Sequence, residues 1–307
     1  MIPDNVKNLL DERHLEVRQI FRDGPRYWVA RLTGKDGEWI IKSVFNDTPW
    51  TSSRTGNTLT PSFQLQQEAL VIKTLAGNKG QVETDPHGQW FLRPYVASQD
   101  MAAGPSPFVF KDEFFEPKNY RPLLDYIEHY QGLTPQIRPA LEANPLSTEH
   151  DLEAKLFAIA YQNPSKILAP YAQAAHAYLN KLHSVHDRSM DCLSHGQMYP
   201  PHILISDGQV EVIDWESASL NHRLADYTAL WIRGFDHPRW QNELLDELHE
   251  RGAFDFPHSQ QLWDIEILLG SSGNLNYLHW SDLEDDSVKA KAIPALKRNI
   301  EKILGEN

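Results

Sequence analysis

Cysteine is almost absent. Cys192 is the single one in 307 residues, which excludes an intrachain disulfide and any zinc site built on thiolates. It sits in Met190-Asp-Cys-Leu193, where a small buried residue is the expected role. Positive charge is also scarce, with 29 lysines and arginines against 42 acidic residues and a net charge of −13. A basic surface that tracks nucleic-acid phosphates is therefore not expected, and the acidity reads as a solvated face. No apolar run approaches the roughly 20 residues that span a bilayer. Internal repeats and low-complexity segments are missing too. The first residues, Met1-Ile-Pro-Asp-Asn-Val-Lys7, lack the charged-then-apolar order of a signal peptide. A cytoplasmic protein with neither nucleic-acid nor membrane partners is the expectation.

What is present is organised around the stretch from Leu193 to Glu216. A polar loop, His195 to His202, is followed by two short apolar runs, Ile203–Ile205 and Val210–Ile213, that meet at Asp207-Gly208. Asp-Gly between β-branched runs is a strong hairpin signal. The loop enters one strand and Asp214 leaves the other, so both belong at the same end of one hairpin.

Upstream, Leu15–Phe21, Tyr27–Leu32 and Trp39–Phe45 read as a three-strand meander, broken by Arg22-Asp-Gly-Pro-Arg26 and Thr33-Gly-Lys-Asp-Gly37. Side chains alternate along a strand, which puts Ile40, Lys42 and Val44 on one face. A lysine among apolar neighbours either snorkels to the edge or has a partner. The next regular element supplies a partner. Thr60-Pro61 starts a helix as N-cap and first residue, and Gly77 ends it. Its inward stripe, Leu65, Ala69, Ile72 and Ala76, also contains Glu68, a carboxylate that is costly there unless paired. Between strand and helix, 46–59 reads as a polar loop. Trp90-Phe-Leu-Arg-Pro-Tyr-Val96 follows as another strand.

Residues 101–170 are rich in proline and aromatics, with helical runs near Tyr120–Tyr130 and Asp151–Tyr161. Pro170–His186 is an amphipathic helix with Ala175, Tyr178, Leu179, Leu182 and Val185 inward. His176, His183 and His186 fall near one another on it, but no carboxylate at ligand spacing accompanies them and they are not read as a metal site. Past the hairpin, Asp226 is a helix-capping or loop-holding candidate. Tyr227–Phe235, Trp240–Arg251, Gln260–Trp280 and Ser287–Leu304 show helical periodicity.

The stretch His195-Gly-Gln-Met-Tyr-Pro-Pro-His202 with Ile213-Asp-Trp215 resembles the H-G-D-x-x-x-x-N loop and I-D-W/F of the aminoglycoside phosphotransferase and choline kinase branch of the kinase-like superfamily. Lys42 followed by Glu68 adds to the resemblance, because kinase-like folds use a strand lysine paired to a helix glutamate to hold the α- and β-phosphates of ATP. The resemblance implies an α+β, two-lobed protein-kinase-like fold. Residues 1–95 would be an antiparallel-sheet N-lobe with one helix, and 96–307 a mainly helical C-lobe carrying the catalytic-loop hairpin. It further implies ATP or another nucleoside triphosphate as cofactor, with the Pro94 carbonyl and the Val96 amide on the adenine, and acceptor selection within 101–170. Asp214 is the implied metal ligand, and His183 matches a packing Leu-His of the family's helix.

Two central positions depart from the family pattern. Gln197 stands where the family has its catalytic Asp. It orients a hydroxyl without accepting a proton, and a general base is typically worth about 10²–10⁴ in rate. His202 stands where the family has its metal-binding Asn, and imidazole suits Mn better than Mg, which weakens or retunes the metal site. Glu216 shares strand parity with Asp214 and offers a second carboxylate. The phosphate-covering turn is thin as well: 21–26 has one glycine, and Pro25 removes a backbone donor, with Arg22 or Arg26 as replacement phosphate ligands or as plain exposed turn residues. The expected catalytic-loop residues are thus His195 and Gln197, the cofactor residues Lys42, Glu68, Pro94 and Val96, and the metal ligands Asp214 and His202. Two readings follow: a nucleotide-binding pseudokinase with weak or no transfer, or an active ATP-dependent phosphotransferase on a small hydroxylated or aminated molecule.

Overall fold

The β-branched and aromatic runs near the start form three antiparallel strands in a computed structural model that describes residues 2–51, 58–77, 82–104, 108–142, 167–206, 208–280 and 285–305. These are β1 (Glu16–Asp23), β2 (Tyr27–Gly34) and β3 (Gly37–Val44). The pairing Gly34↔Gly37 closes the β2–β3 turn, and Gly37 takes φ +127°, a value a side chain rarely tolerates. Short strands β4 (Trp50–Thr51) and β5 (Thr58–Leu59) pair within the expected polar loop. Two further strands, β6 (Glu83–Thr84) and β7 (Trp90–Pro94), complete an antiparallel sheet of order β1-β2-β3-β7-β6.

Both faces of β3 are covered, and the two faces differ in what covers them. Helix α1 (Asp4–Arg13), unanticipated from the sequence, brings Val6, Leu9 and Leu10 against Trp28, Leu32, Ile41 and Leu92. Helix α2 (Pro61–Ala76) covers the other face, with Leu65 and Ala69 against Tyr27, Val44 and Phe91. Thr60 caps α2 as expected by accepting the Phe63 amide at 3.2 Å, and Gly77 ends it. Alternation along β3 therefore turns Lys42 and Val44 toward α2, while Ile41 faces α1.

Internal contacts group the chain into two units, Met1–Ser98 with Asp214–Ala218, and Gln99–Ile213 with Ser219–Asn307. The expected boundary at 95/96 leaves 214–218 on the C-terminal side, whereas its contacts place it with the first unit.

In the second unit, β10 (Ile203–Ser206) and β11 (Gln209–Val212) form the expected hairpin, and β8 (Gln99–Asp100) adds to the open side of β10. The pairing Ser206↔Gln209 leaves a two-residue turn, in which Gly208 has φ +77° and Asp207 lies outside the described residues. A second pair, β9 (Cys192–Ser194) with β12 (Ser219–Asn221), lies beside it in sequence. The α-helices among the described residues of this unit are α3 (Pro117–Gly132), α4 (Thr134–Glu142), α5 (Ala172–Arg188), α6 (Ala225–Arg233), α7 (Pro238–Glu250), α8 (Ser259–Trp280) and α9 (Asp286–Leu304). The core joins Ala175 and Leu179 of α5 to Leu262, Ile265 and Leu268 of α8 and to Leu296 and Ile300 of α9. The expected helix at 151–161 lies outside the described residues. No described helix is long and apolar enough to cross a membrane.

Candidate functional site

The buried ammonium of Lys42 is the centre of the polar cluster in the first unit. Its Nζ lies 2.6 Å from Glu68 Oε2, 2.6 Å from Asp214 Oδ1 and 3.3 Å from Glu216 Oε2. Lys42 and Glu68 are 4% and 2% exposed, so the pair is formed almost without water. Strand alternation and the helical stripe account for the first two residues. The others need the chain to turn sharply after the hairpin.

Asp214 makes that turn. It adopts a left-handed conformation, φ 65° and ψ 54°, which aspartate tolerates better than most residues, and a 3₁₀ turn over Trp215–Ser217 follows. The expected strand parity of Asp214 and Glu216 is therefore absent; the tight turn brings both carboxylates to Lys42 instead. Trp215 anchors the turn by complete burial, and the Gln67 side-chain amide of α2 donates to the Ala218 carbonyl.

Three carboxylates facing one ammonium leave the cluster short of positive charge. Burial alone pulls the Lys42 ammonium down, but Glu68, Asp214 and Glu216 together outweigh it, so Lys42 stays protonated well above its ordinary range. Burial pushes the Glu68 carboxyl up to about 7; Lys42 opposes this, and the charges of Asp214 and Glu216 add to it. Oxygens of Glu68, Asp214 and Glu216 lie within 4.8 Å of one another. Such an all-oxygen set with excess negative charge fits a hard divalent cation. Tyr27 closes one side, its ring 4.7 Å from Lys42 Nζ.

The loop of the second unit is held by Asp226, as a loop-holding role requires. Its Oδ2 accepts from the Tyr130 hydroxyl at 2.6 Å and the His195 amide at 2.9 Å, and its Oδ1 from the Ser194 hydroxyl at 3.0 Å and the Gly196 amide at 3.3 Å. Burial raises the Asp226 carboxyl despite these donors. His195 is fully buried, and both of its ring nitrogens meet backbone. Nε2 donates to the Ile213 carbonyl at 2.9 Å, and Nδ1 accepts the Gln197 amide at 3.2 Å. The imidazole thereby ties the loop to the residue before Asp214.

Gln197 offers its carbonyl to His202 Nδ1, at 3.0 Å, and to the Tyr199 amide, at 2.7 Å. A carbonyl only accepts, so Nδ1 of His202 carries a proton. No aspartate or glutamate occurs between 195 and 202.

The remaining expected site residues lie along β7 and just past it. Pro94 ends β7 opposite Trp39, its carbonyl 3.3 Å from Arg93 Nη1. Val96 is exposed, and the Tyr95 amide between them bonds the Glu38 carbonyl at 2.9 Å. Of the candidate phosphate arginines, Arg26 stacks over Trp50 at 4.8 Å, while Arg22 is exposed with its guanidinium 6.0 Å from the Tyr27 ring.

Comparison with known proteins places this geometry. A family model described as "Phosphotransferase enzyme family" matches residues 80–262. Solved structures with the same fold include an aminoglycoside phosphotransferase in a ternary complex with ADP and hygromycin B, 11% identical over 98% of each chain with a TM-score of 0.57. A spectinomycin phosphotransferase in complex with ADP and spectinomycin is 11% identical over 99% of this chain and 98% of its own, with a TM-score of 0.53. A choline kinase from Streptococcus pneumoniae is 14% identical over 99% and 98%, with a TM-score of 0.52. The two-lobed kinase-like architecture expected from the sequence is thus the fold of this chain. No curated protein matches it by sequence.

Proposed function

Because the chain belongs to the phosphotransferase enzyme family, we propose that it binds a nucleoside triphosphate with a divalent cation, and that its loop, lacking a carboxylate, supports phosphoryl transfer weakly or not at all. The observation that carries the reading is the intact polar set of the first unit, Lys42 Nζ at 2.6 Å from both Glu68 and Asp214. Lys42 holds the α- and β-phosphates, and Glu68 keeps the ammonium in place. Asp214 and Glu216 are the cation ligands, and a cation there supplies neutralisation of phosphate charge. The Pro94 carbonyl and the Val96 amide take the adenine edge.

Gln197 decides the chemical outcome. Its amide accepts a hydrogen bond from an acceptor hydroxyl and so orients it, but it takes no proton near neutral pH. His195 acts as a positioning residue, since both ring nitrogens are committed to backbone.

A second reading, active transfer to a small hydroxylated or aminated molecule, is favoured by one observation. The Gln197 carbonyl fixes the Nδ1 proton of His202, so a metal held by this imidazole would be ligated through Nε2. A backbone carbonyl on the other ring nitrogen is how metal-binding histidines are commonly oriented. Manganese then becomes the preferred cation over magnesium.

The test is thermal stabilisation by ATP with Mg²⁺ or Mn²⁺, which reports occupancy by mass action whether or not catalysis occurs. The native protein is expected to shift and Lys42→Met to lose the shift. Absence of any shift in the native protein defeats the reading, and a shift confined to the Gln197→Asp, His202→Asn double variant traces the failure to those two residues. Rapid turnover by the native protein in acceptor panels selects the second reading over the first.

A further inference from the structure

Outside the set around Lys42, one other group of ligand-type side chains converges among the described residues: His186 near the end of α5, His222 just after β12, and Glu266 on α8. All three belong to the second unit. We propose that they bind a divalent transition-metal ion of the zinc class, as a structural brace between α5, the segment after β12 and α8. The inference stands independently of nucleotide binding.

The donor types come first. Two imidazoles and one carboxylate form a set that zinc and its first-row neighbours accept and that magnesium and calcium do not favour. Distances agree. His222 Nε2 lies 3.2 Å and His186 Nε2 3.7 Å from Glu266 Oε1, and the three ligand atoms fall within 4.8 Å of one another. Ligands each about 2.0–2.2 Å from zinc stand about 3.4 Å apart at the tetrahedral angle, which lies between the two distances seen.

The second observation is His186 itself. The ring is fully buried, and its Nε2 has no hydrogen-bond partner. At 3.7 Å from Glu266 it is too far for a hydrogen bond, yet it points to the same place as His222 Nε2. Its other nitrogen, Nδ1, lies 3.4 Å from Asp187 Oδ1. A carboxylate behind a histidine with the far nitrogen left for an ion is the usual support of a metal ligand.

His222 sets the cost of binding. Its Nδ1 now accepts the Leu224 amide at 3.2 Å, so its proton sits on Nε2 and points to Glu266. Coordination through Nε2 moves that proton to Nδ1 and deprives the Leu224 amide of its acceptor. The site is thus preorganised at His186 and needs a change of tautomer at His222. The helical neighbours of His186 play no part: His176 bonds Asn180, and His183 pairs with Asp187 at 3.2 Å.

The test uses the full chain, without an affinity tag and stripped by chelator, titrated with Zn²⁺ and with Co²⁺. The expected result is one equivalent bound, with ligand-field absorbance from Co²⁺ and a rise in Tm with Zn²⁺. Glu266→Gln and His186→Asn abolish uptake, while Asp214→Asn retains it. Asp187→Asn, at an exposed position, keeps the fold and weakens affinity about 10–100-fold. The proposal is overturned if the native chain takes up neither ion, if uptake survives in both Glu266→Gln and His186→Asn, or if Asp214→Asn alone removes it.

Discussion

Lys42 Nζ is as close to Asp214 Oδ1 as it is to Glu68 Oε2, 2.6 Å in each case, although 172 residues separate Lys42 from Asp214. One buried ammonium thus pairs with a helix carboxylate and with a carboxylate carried on a turn after the hairpin, and Glu216 draws on the same charge at 3.3 Å. The cation is the keystone of the cluster, and the behaviour of its variants follows from that.

Replacing Lys42 by Met leaves Glu68 buried beside Asp214 and Glu216 with no positive charge. Removing one partner of a buried pair costs about 3–5 kcal/mol, and Mg²⁺ or Mn²⁺ should return part of it by taking the ammonium's place. Urea denaturation with and without the cations measures both effects. A loss below about 1 kcal/mol would mean that the three carboxylates do not depend on Lys42.

Glu68 makes stability depend on pH in an unusual direction. Its carboxyl titrates near 7 in the folded protein against an ordinary value of 4.5, so between these values the folded state binds more protons than the unfolded one. Stability from this group is therefore present below about 4.5 and is lost as pH rises through about 7. Relative to Glu68→Gln, the native protein should lose stability from pH 5 to pH 8, as read by denaturation at each pH. A gain over that interval contradicts the assignment.

Tyr130→Phe removes the shortest of the four hydrogen bonds to Asp226 while keeping the ring packed. Hydrogen bonds to a charged group contribute about 1.5–3 kcal/mol, and the destabilisation is expected in that range. Asp226→Ala should cost more, because the His195 and Gly196 amides and the Ser194 hydroxyl lose their acceptor as well. Equal losses in the two variants would show that Asp226 does not organise the loop.

Gln197→Asp restores a carboxylate to the loop. Transfer of the ATP γ-phosphate, to water or to an acceptor, should rise about 10²–10⁴-fold over the native rate, the usual contribution of a general base. Measurement of ADP release with Mn²⁺ and with Mg²⁺ decides it. An unchanged rate places the limitation elsewhere than at residue 197.

Much of this was legible in the residues, and the reasons are local. Thr60-Pro61 and Gly77 bound α2 because an N-cap hydroxyl and a C-terminal glycine satisfy orphan backbone groups wherever they fall. The Asp-Gly dipeptide forces the turn between β10 and β11, and alternation along β3 with the stripe of α2 pairs Lys42 and Glu68. Helix α1 was missed: it is short, its apolar positions are few, and its stability comes from packing on Trp28 and Ile41. The meeting of His186, His222 and Glu266 was equally hidden, since the three lie on separate elements and no spacing rule links them.

The sequence alone determined strands β1–β3 and β7, the hairpin of β10 and β11, the capped helix, the family that the loop resembles and the absence of a carboxylate at 197, all of which depend on near neighbours or on residue identity. Tertiary structure decided what else Lys42 faces. The left-handed conformation of Asp214 and the 3₁₀ turn after it put two carboxylates, not one, beside the ammonium, and burial among them turns Glu68 into a group that titrates near neutrality. Backbone dihedrals at one residue and the exclusion of water are set by packing across the whole unit, and no local pattern encodes them.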